Sequence, residues 1–161
     1  MRWLAAGVLA AIVSSLFEVF VLGGLPPMAR LDPLLLIILL VAPVLEESCK
    51  RLVAAVFATP WGLTGLAFGI MEGFGKLGGL EEGSGLGFII SVLFHWGLGR
   101  HAQAGAWPLQ GAIGAHFLYN CVAVLTQLVL GDVSAWLMLG VAGLLLWASF
   151  HRDVDAAPAE P

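Results

Sequence analysis

The chain has 161 residues, 60% of them hydrophobic and 11% charged, with a mean hydropathy of +0.96, a composition that excludes an ordinary soluble domain. Its net charge of -4 comes from acids inside apolar segments and from the C-terminal tail, and no basic stripe accompanies it, so nucleic acid is not an expected partner. Crossing the hydrocarbon takes about 20 apolar residues per helix, which leaves room for five or six spans and for no separate soluble domain.

The first segment, "MRWLAAGVLAAIVSSLFEVFVLGGLPP", has a positive residue followed by an apolar run, as a signal peptide does. The run is too long, Glu18 interrupts it and no small-residue cleavage site follows. It is read as a retained first helix over 3–24. Breaks at Pro, Gly clusters and charges place further spans at 33–58, 61–77, 86–99, 109–130 and 133–150. The fourth is short for a bilayer and is expected to be partial or tilted.

The fold expected is therefore all-α: a polytopic transmembrane bundle of about six helices, as a single domain over 1–152, with a polar, disordered tail over 153–161. Trp3, Trp61, Trp107, Trp136 and Trp147 fall near span ends, where interfacial aromatics belong. With the N-terminus cytoplasmic, Arg2, Arg100 and Arg152 lie inside, Arg30 and Lys76 outside, and Lys50 and Arg51 near the inner end of the second span.

Two glycine patterns stand out. Gly65, Gly69 and Gly73 recur every fourth residue and form a small-residue stripe for close helix approach. Between Gly73 and Gly87 a glycine-rich stretch containing Glu81 and Glu82 reads as a flexible connection or a mobile gate. Cys49 and Cys121 are isolated among apolar residues and read as packing residues.

The apolar spans also hold Glu18, Glu46, Glu47, Lys50, Arg51, Glu72, His95 and His116, with Asn120 one turn after His116. A charge at bilayer depth costs at least about 2.5 kcal/mol on translocon scales, so such groups face a cavity or one another. Each residue alone reads as a local ion pair or a hydrogen-bonded crossing contact. Together they read as a reaction site or an ion path. At about 100° per residue, Glu46 shares a helix face with Lys50, and Glu47 with Arg51. Glu46 and Glu47 point in different directions, which suggests that one faces a cavity while a partner holds the other.

A desolvated carboxylate can act as general base on water, and imidazoles with an Asn amide can donate to a developing oxyanion. That inventory describes hydrolysis. The same carboxylates and histidines, Glu46, Glu72, His95 and His116, could instead hold a zinc ion with an open position, although no HExxH is present.

"APVLEESCKRL" resembles the EExxxR motif of the CAAX-protease and bacteriocin-processing superfamily of intramembrane proteases, with Glu46, Glu47 and Arg51. It also fits the EExxK form of the PrsW-like branch, with Lys50. "GLAFGIMEGF" resembles the PrsW-like FxxxE motif at Phe68 and Glu72, "LFHWGLG" supplies the third-motif His95, and "HFLYN" resembles HxxxN at His116 and Asn120. The resemblance covers residues 41–120, in order and with each motif in its own helix.

It implies a glutamate-type intramembrane endopeptidase, multi-pass in a prokaryotic cytoplasmic membrane, acting on a membrane-anchored protein or peptide. Glu46 would activate water, Glu47 would assist it or be held by Arg51, and His95 and His116 would orient water or substrate. Asn120 would stabilise the oxyanion, and Glu72 would stand behind the site or ligate a metal. Gly73 stands where PrsW-like proteins usually carry Asn, and a Thr usual after the third-motif His is missing. These departures favour an inactive scaffold as one alternative; a proton-coupled transporter or channel is the other.

Overall fold

A computed structural model describes residues 1–24, 33–77, 84–105 and 108–155. Among them the chain is all-helical, in six helices. Helix α1 is Arg2–Gly24. Helix α2 starts at Pro33–Leu36, passes through a π-helical turn at Ile37–Val41 and continues as Ala42–Val56. Helices α3 to α6 are Trp61–Leu77, Ser84–Gln103, Leu109–Leu130 and Val133–Asp155. Gly78, Gly79, Glu81, Glu82, Gly83, Arg30 and Trp107 lie outside the described residues, as do the side chain of Arg152 and residues 156–161 of the expected tail.

Three stretches, Arg2–Val21, Leu109–Leu130 and Val133–His151, are long and apolar enough to cross a membrane. Large apolar side chains on their outer faces are exposed, among them Phe20, Leu128, Val129, Leu144 and Trp147. The inner faces are built from small residues. Ala6 and Ala10 of α1 are fully buried, and a Cβ at Gly7 would lie 2.7 Å from the Thr64 carbonyl oxygen of α3.

The Gly65/Gly69/Gly73 stripe performs the expected close approach, against α4. A Cβ at Gly69 would lie 2.7 Å from the Ser91 carbonyl oxygen, and one at Gly65 would strike the carbonyl of His95. Backbone contact at these two points sets the height of Ser91 and His95 against α3.

The fourth helix is longer than its sequence suggested. Arg100, His101 and Gln103 read as an exit from the membrane, yet each has a partner in a neighbouring element. Arg100 Nε donates to Ser149 Oγ at 3.1 Å, His101 Nε2 to the Leu145 carbonyl at 3.0 Å, and the Gly62 N–H to Gln103 Oε1 at 3.0 Å. The helix therefore runs its full 20 residues to Gln103. Helix α6 likewise continues to Asp155, past the expected end at 150. Trp61 also departs from its interfacial reading: it is buried, beneath the Arg51 guanidinium at 5.1 Å.

The Gly62–Gln103 bond, the Gly7–Thr64 contact and the Arg100–Ser149 bond bring the start of α1, the α2–α3 connection, the end of α4 and the last turns of α6 to one end of the bundle. Counted from that end at about 1.5 Å per residue, Glu46, Glu72, His95 and His116 all sit at a depth of about 10 to 17 Å.

Candidate functional site

Four helices contribute to one polar cluster. Glu46, Glu47 and Lys50 come from α2, Glu72 from α3, Ser91 and His95 from α4, and His116 and Asn120 from α5. Glu47 is completely buried and Lys50 is 1% exposed. Nothing but pairing makes such burial tolerable.

The pairing differs from the helical-wheel expectation. Lys50 Nζ bonds to Glu47 Oε1, three residues away, and lies 4.0 Å from Glu46 Oε2, four residues away. Arg51 is exposed, and among the described residues it makes no ion pair with Glu47; its guanidinium rests on the Trp61 ring. The expected Glu47–Arg51 pair is replaced by Glu47–Lys50. Residues three and four apart are both close neighbours on a helix, and groups on other helices decide between them. Lys50 Nζ sits 2.9 Å from His95 Nδ1 and 4.3 Å from the centre of the Phe68 ring, so the lysine points inward.

The histidine tautomers follow from their partners. An ammonium only donates, so His95 Nδ1 accepts from Lys50, and Nε2–H donates to Glu72 Oε2. His95 is thus engaged on both sides, and it positions Lys50 and Glu72. Glu72 is fixed further by Ser91 Oγ and by Lys76 Nζ, each at 2.7 Å. His116 Nδ1–H donates to Glu47 Oε1 at 3.0 Å, which leaves the Nε2 lone pair for another donor. A buried carboxylate orienting an imidazole in this way fixes its tautomer and ring plane.

Asn120 is held by an irregularity that the sequence analysis did not anticipate. Pro43 has no N–H to give. The Ala42 N–H closes the π turn on the Ile37 carbonyl, and neither residue is then left to serve the carbonyl of Ile38 within the helix. Asn120 Nδ2 donates to that carbonyl at 2.8 Å. Its second N–H remains. The signal was "VAPV" at 41–44: a proline ten residues into an apolar span requires some local change in the hydrogen-bond ladder, and π turns of this kind gather at functional sites.

The cluster borders a cavity of about 750 Å³, lined by Glu18, Glu46, Glu72, Lys76, His116 and Asn120 together with apolar groups of α1, α2 and α3. Glu46 is largely buried, and its Oε2 has no hydrogen-bond partner; it lies 3.8 Å from His95 Nε2. Glu46, Glu72, His116 and Asn120 line one cavity. His95 stands behind it and does not line the cavity wall. Glu18, whose role sequence reasoning left open, is a wall residue contributed by α1.

Comparison with known proteins adds nothing to this geometry: no family model, curated protein or solved structure matches the chain.

A metal ion can be weighed against the donors present. Ligand atoms of Glu46, Glu47, His95 and His116 lie within 4.8 Å of one another, and all four residues are buried, so the cluster could hold a metal. The set includes Glu47 in place of Glu72, because Glu72 is turned towards Lys76, Ser91 and the far side of His95. Tetrahedral zinc, with bonds of about 2.0–2.1 Å, needs its donors about 3.4 Å apart, closer than the 4.8 Å spread here. Lys50 Nζ also holds Glu47 Oε1 and His95 Nδ1. The residue types suit zinc; their arrangement with Lys50 among them does not. Cys49 and Cys121 are free thiols and take no part in the cluster.

Proposed function

We infer that this chain is a multi-pass membrane protein that hydrolyses a peptide bond in a membrane-anchored protein or peptide, in the manner of the CAAX-protease and PrsW-like enzymes its motifs resemble. The observation that carries the reading is Glu46. Its side chain lines a cavity shared with His116 and Asn120 and its buried Oε2 makes no hydrogen bond, while the neighbouring Glu47 is committed to Lys50 and His116.

In this reading a water in the cavity gives a proton to Glu46 as it attacks the scissile carbonyl. His116, held by Glu47, offers Nε2 to the same water and aligns it. The tetrahedral oxyanion takes the second N–H of Asn120, whose first N–H is fixed on Ile38. The proton on Glu46 passes to the leaving amine. Glu72, His95 and Lys50 form the support that keeps Glu47 and His116 in place.

The cavity wall supports a membrane substrate. Leu16, Val19 and Leu34 line it and are more than half exposed on the outer surface, at 65%, 68% and 54%. An opening flanked by outward-facing apolar side chains lets a segment enter sideways from the bilayer. Six helices with polar groups inside and apolar groups outside also agree with insertion of the whole bundle.

The test is a quenched fluorescent peptide carrying an apolar anchor, presented to the purified protein in lipid nanodiscs. Cleavage by the wild type and its loss in Glu46→Gln, with helicity and elution volume unchanged, is the expected result. Equal cleavage by both proteins would remove Glu46 from the mechanism.

One observation favours a second reading, a proton relay. Lys76, Glu72, His95, Lys50, Glu47 and His116 form an unbroken chain of polar contacts. The chain of contacts ends at His116, about 10 Å short of the end of the bundle at which α5 begins. Proton flux into liposomes that persists in Glu46→Gln but stops in His95→Ala would favour transport over hydrolysis.

A further inference from the structure

The buried cluster has the form of a cation site, and the cation in it belongs to the chain. Lys50 Nζ bonds to Glu47 Oε1 and to His95 Nδ1, lies 4.0 Å from Glu46 Oε2, and has the face of Phe68 at 4.3 Å. Three of its four neighbours, Glu46, Glu47 and His95, are among the four residues whose ligand atoms converge closely enough to hold a metal; the fourth, His116, shares the Glu47 oxygen that Lys50 holds.

His95 has only Nδ1 to offer an ion, since its Nε2 is engaged with Glu72, and Nδ1 is the atom that Lys50 occupies. An ammonium and a divalent ion cannot share those donors. At a few ångströms in a medium of low dielectric their repulsion is large.

We propose that Lys50 is the resident cation of this cluster: its ammonium stands where a divalent metal would be held, and a metal enters only when that side chain is removed. Taking away Lys50 leaves two buried carboxylates with no compensating charge, two free oxygens on Glu46 and Glu47, and two imidazoles. Two carboxylates and two histidines are a donor set that zinc or cobalt accepts. Lys50 is accordingly a positioning residue, which holds Glu47 and His95 by hydrogen bonds where a metal would hold them by ligation. The inference concerns the same cluster as the peptidase reading but is read by metal content, so the two can fail separately.

The experiment uses the full-length protein without an affinity tag, in detergent, for the wild type, Lys50→Met, and Lys50→Met combined with Glu46→Gln. Each is dialysed against zinc, desalted and analysed for metal, and each is titrated with cobalt while the visible d–d bands are followed. The wild type is expected to retain less than a tenth of an ion per chain. Lys50→Met is expected to retain about one, and the double variant to return to the wild-type level. Zinc should raise the melting temperature of Lys50→Met and leave that of the wild type unchanged, because only the variant's folded state binds the ion.

One zinc per chain in the wild type, lowered by Glu46→Gln alone, overturns the proposal. So does a folded Lys50→Met that takes up no more metal than the wild type. Should Lys50→Met fold only with zinc present, the proposal is upheld. Should it fold under neither condition, the wild-type cobalt titration decides: no tight site upholds the proposal, and one tight site overturns it.

Discussion

His116 Nδ1 donates to the Glu47 carboxylate across 3.0 Å, from α5 to α2. This one bond ties the second glutamate of "LEESCKR" to "HFLYN", two motifs separated by about 70 residues, and it assigns different work to the two adjacent glutamates. Glu47 is structural and orients a histidine. Glu46, one residue earlier and about 100° around the helix, lines the cavity and makes no hydrogen bond at its buried Oε2.

The two glutamates should therefore fail in different ways. Glu47→Ala strands the Lys50 ammonium in the interior, and breaking a buried pair in this manner costs about 3–5 kcal/mol. A fall of many degrees in the melting temperature in detergent is expected, with activity lost as a consequence. Glu46→Gln removes no hydrogen bond at Oε2 and only a 4.0 Å contact with Lys50, which keeps its bond to Glu47; its melting temperature should stay close to the wild-type value while peptide cleavage disappears.

Arg51 completes the EExxxR spacing, yet this geometry leaves it outside the cluster, stacked on Trp61 at 5.1 Å. An exposed cation–π contact is worth about 0.5–1 kcal/mol, so Arg51→Ala should keep most of its activity and lose only a little stability. A collapse of activity as deep as that of Glu47→Ala, measured side by side, would mean that Glu47 depends on Arg51 after all.

Asn120→Leu should show two separate defects. The Ile38 carbonyl loses its donor, which costs about 1–3 kcal/mol for a buried acceptor left unsatisfied. Loss of an oxyanion donor lowers turnover by about 10²–10³-fold. Asn120→Asp, which cannot donate from its carboxylate, should share the second defect. A kcat within threefold of wild type in either variant would take Asn120 out of the oxyanion role.

Gly69→Val tests the link between packing and site. Its side chain would meet the Ser91 carbonyl, whose residue also donates to Glu72. Overpacking of this kind costs about 1–3 kcal/mol, and here it pushes α4 away from α3 at the level of His95. Stability should fall, with activity falling further than an equally destabilising change elsewhere, such as Gly97→Ala against Leu146 of α6.

Much of this arrangement was legible before any coordinates. Helix limits at Gly131 and at Thr59–Pro60 follow from residues that favour turns, and Gly131 does adopt positive φ. The cost of scattering ionisable groups through apolar helices pointed to one cavity for Glu46, Glu72, His95 and His116; Glu46, Glu72 and His116 line it, and His95 does not. What could not be read was set by neighbours distant in sequence. Lys50 prefers Glu47 to Glu46 because His95 and Phe68 wait on that side. The extension of α4 depends on partners in α3 and α6 for its polar last turn, and the π turn depends on Asn120 being present to serve the freed carbonyl. Local periodicity carries no information about such partners.

The central claim, that Glu46 drives peptide hydrolysis in the membrane, is tested most directly by terminal-amine mass spectrometry on membranes from cells expressing either the wild type or Glu46→Gln at equal levels. The account predicts new N-termini within or beside apolar segments of membrane-anchored proteins in the wild-type sample, absent from the variant. Indistinguishable profiles, with both proteins inserted and folded, would contradict it.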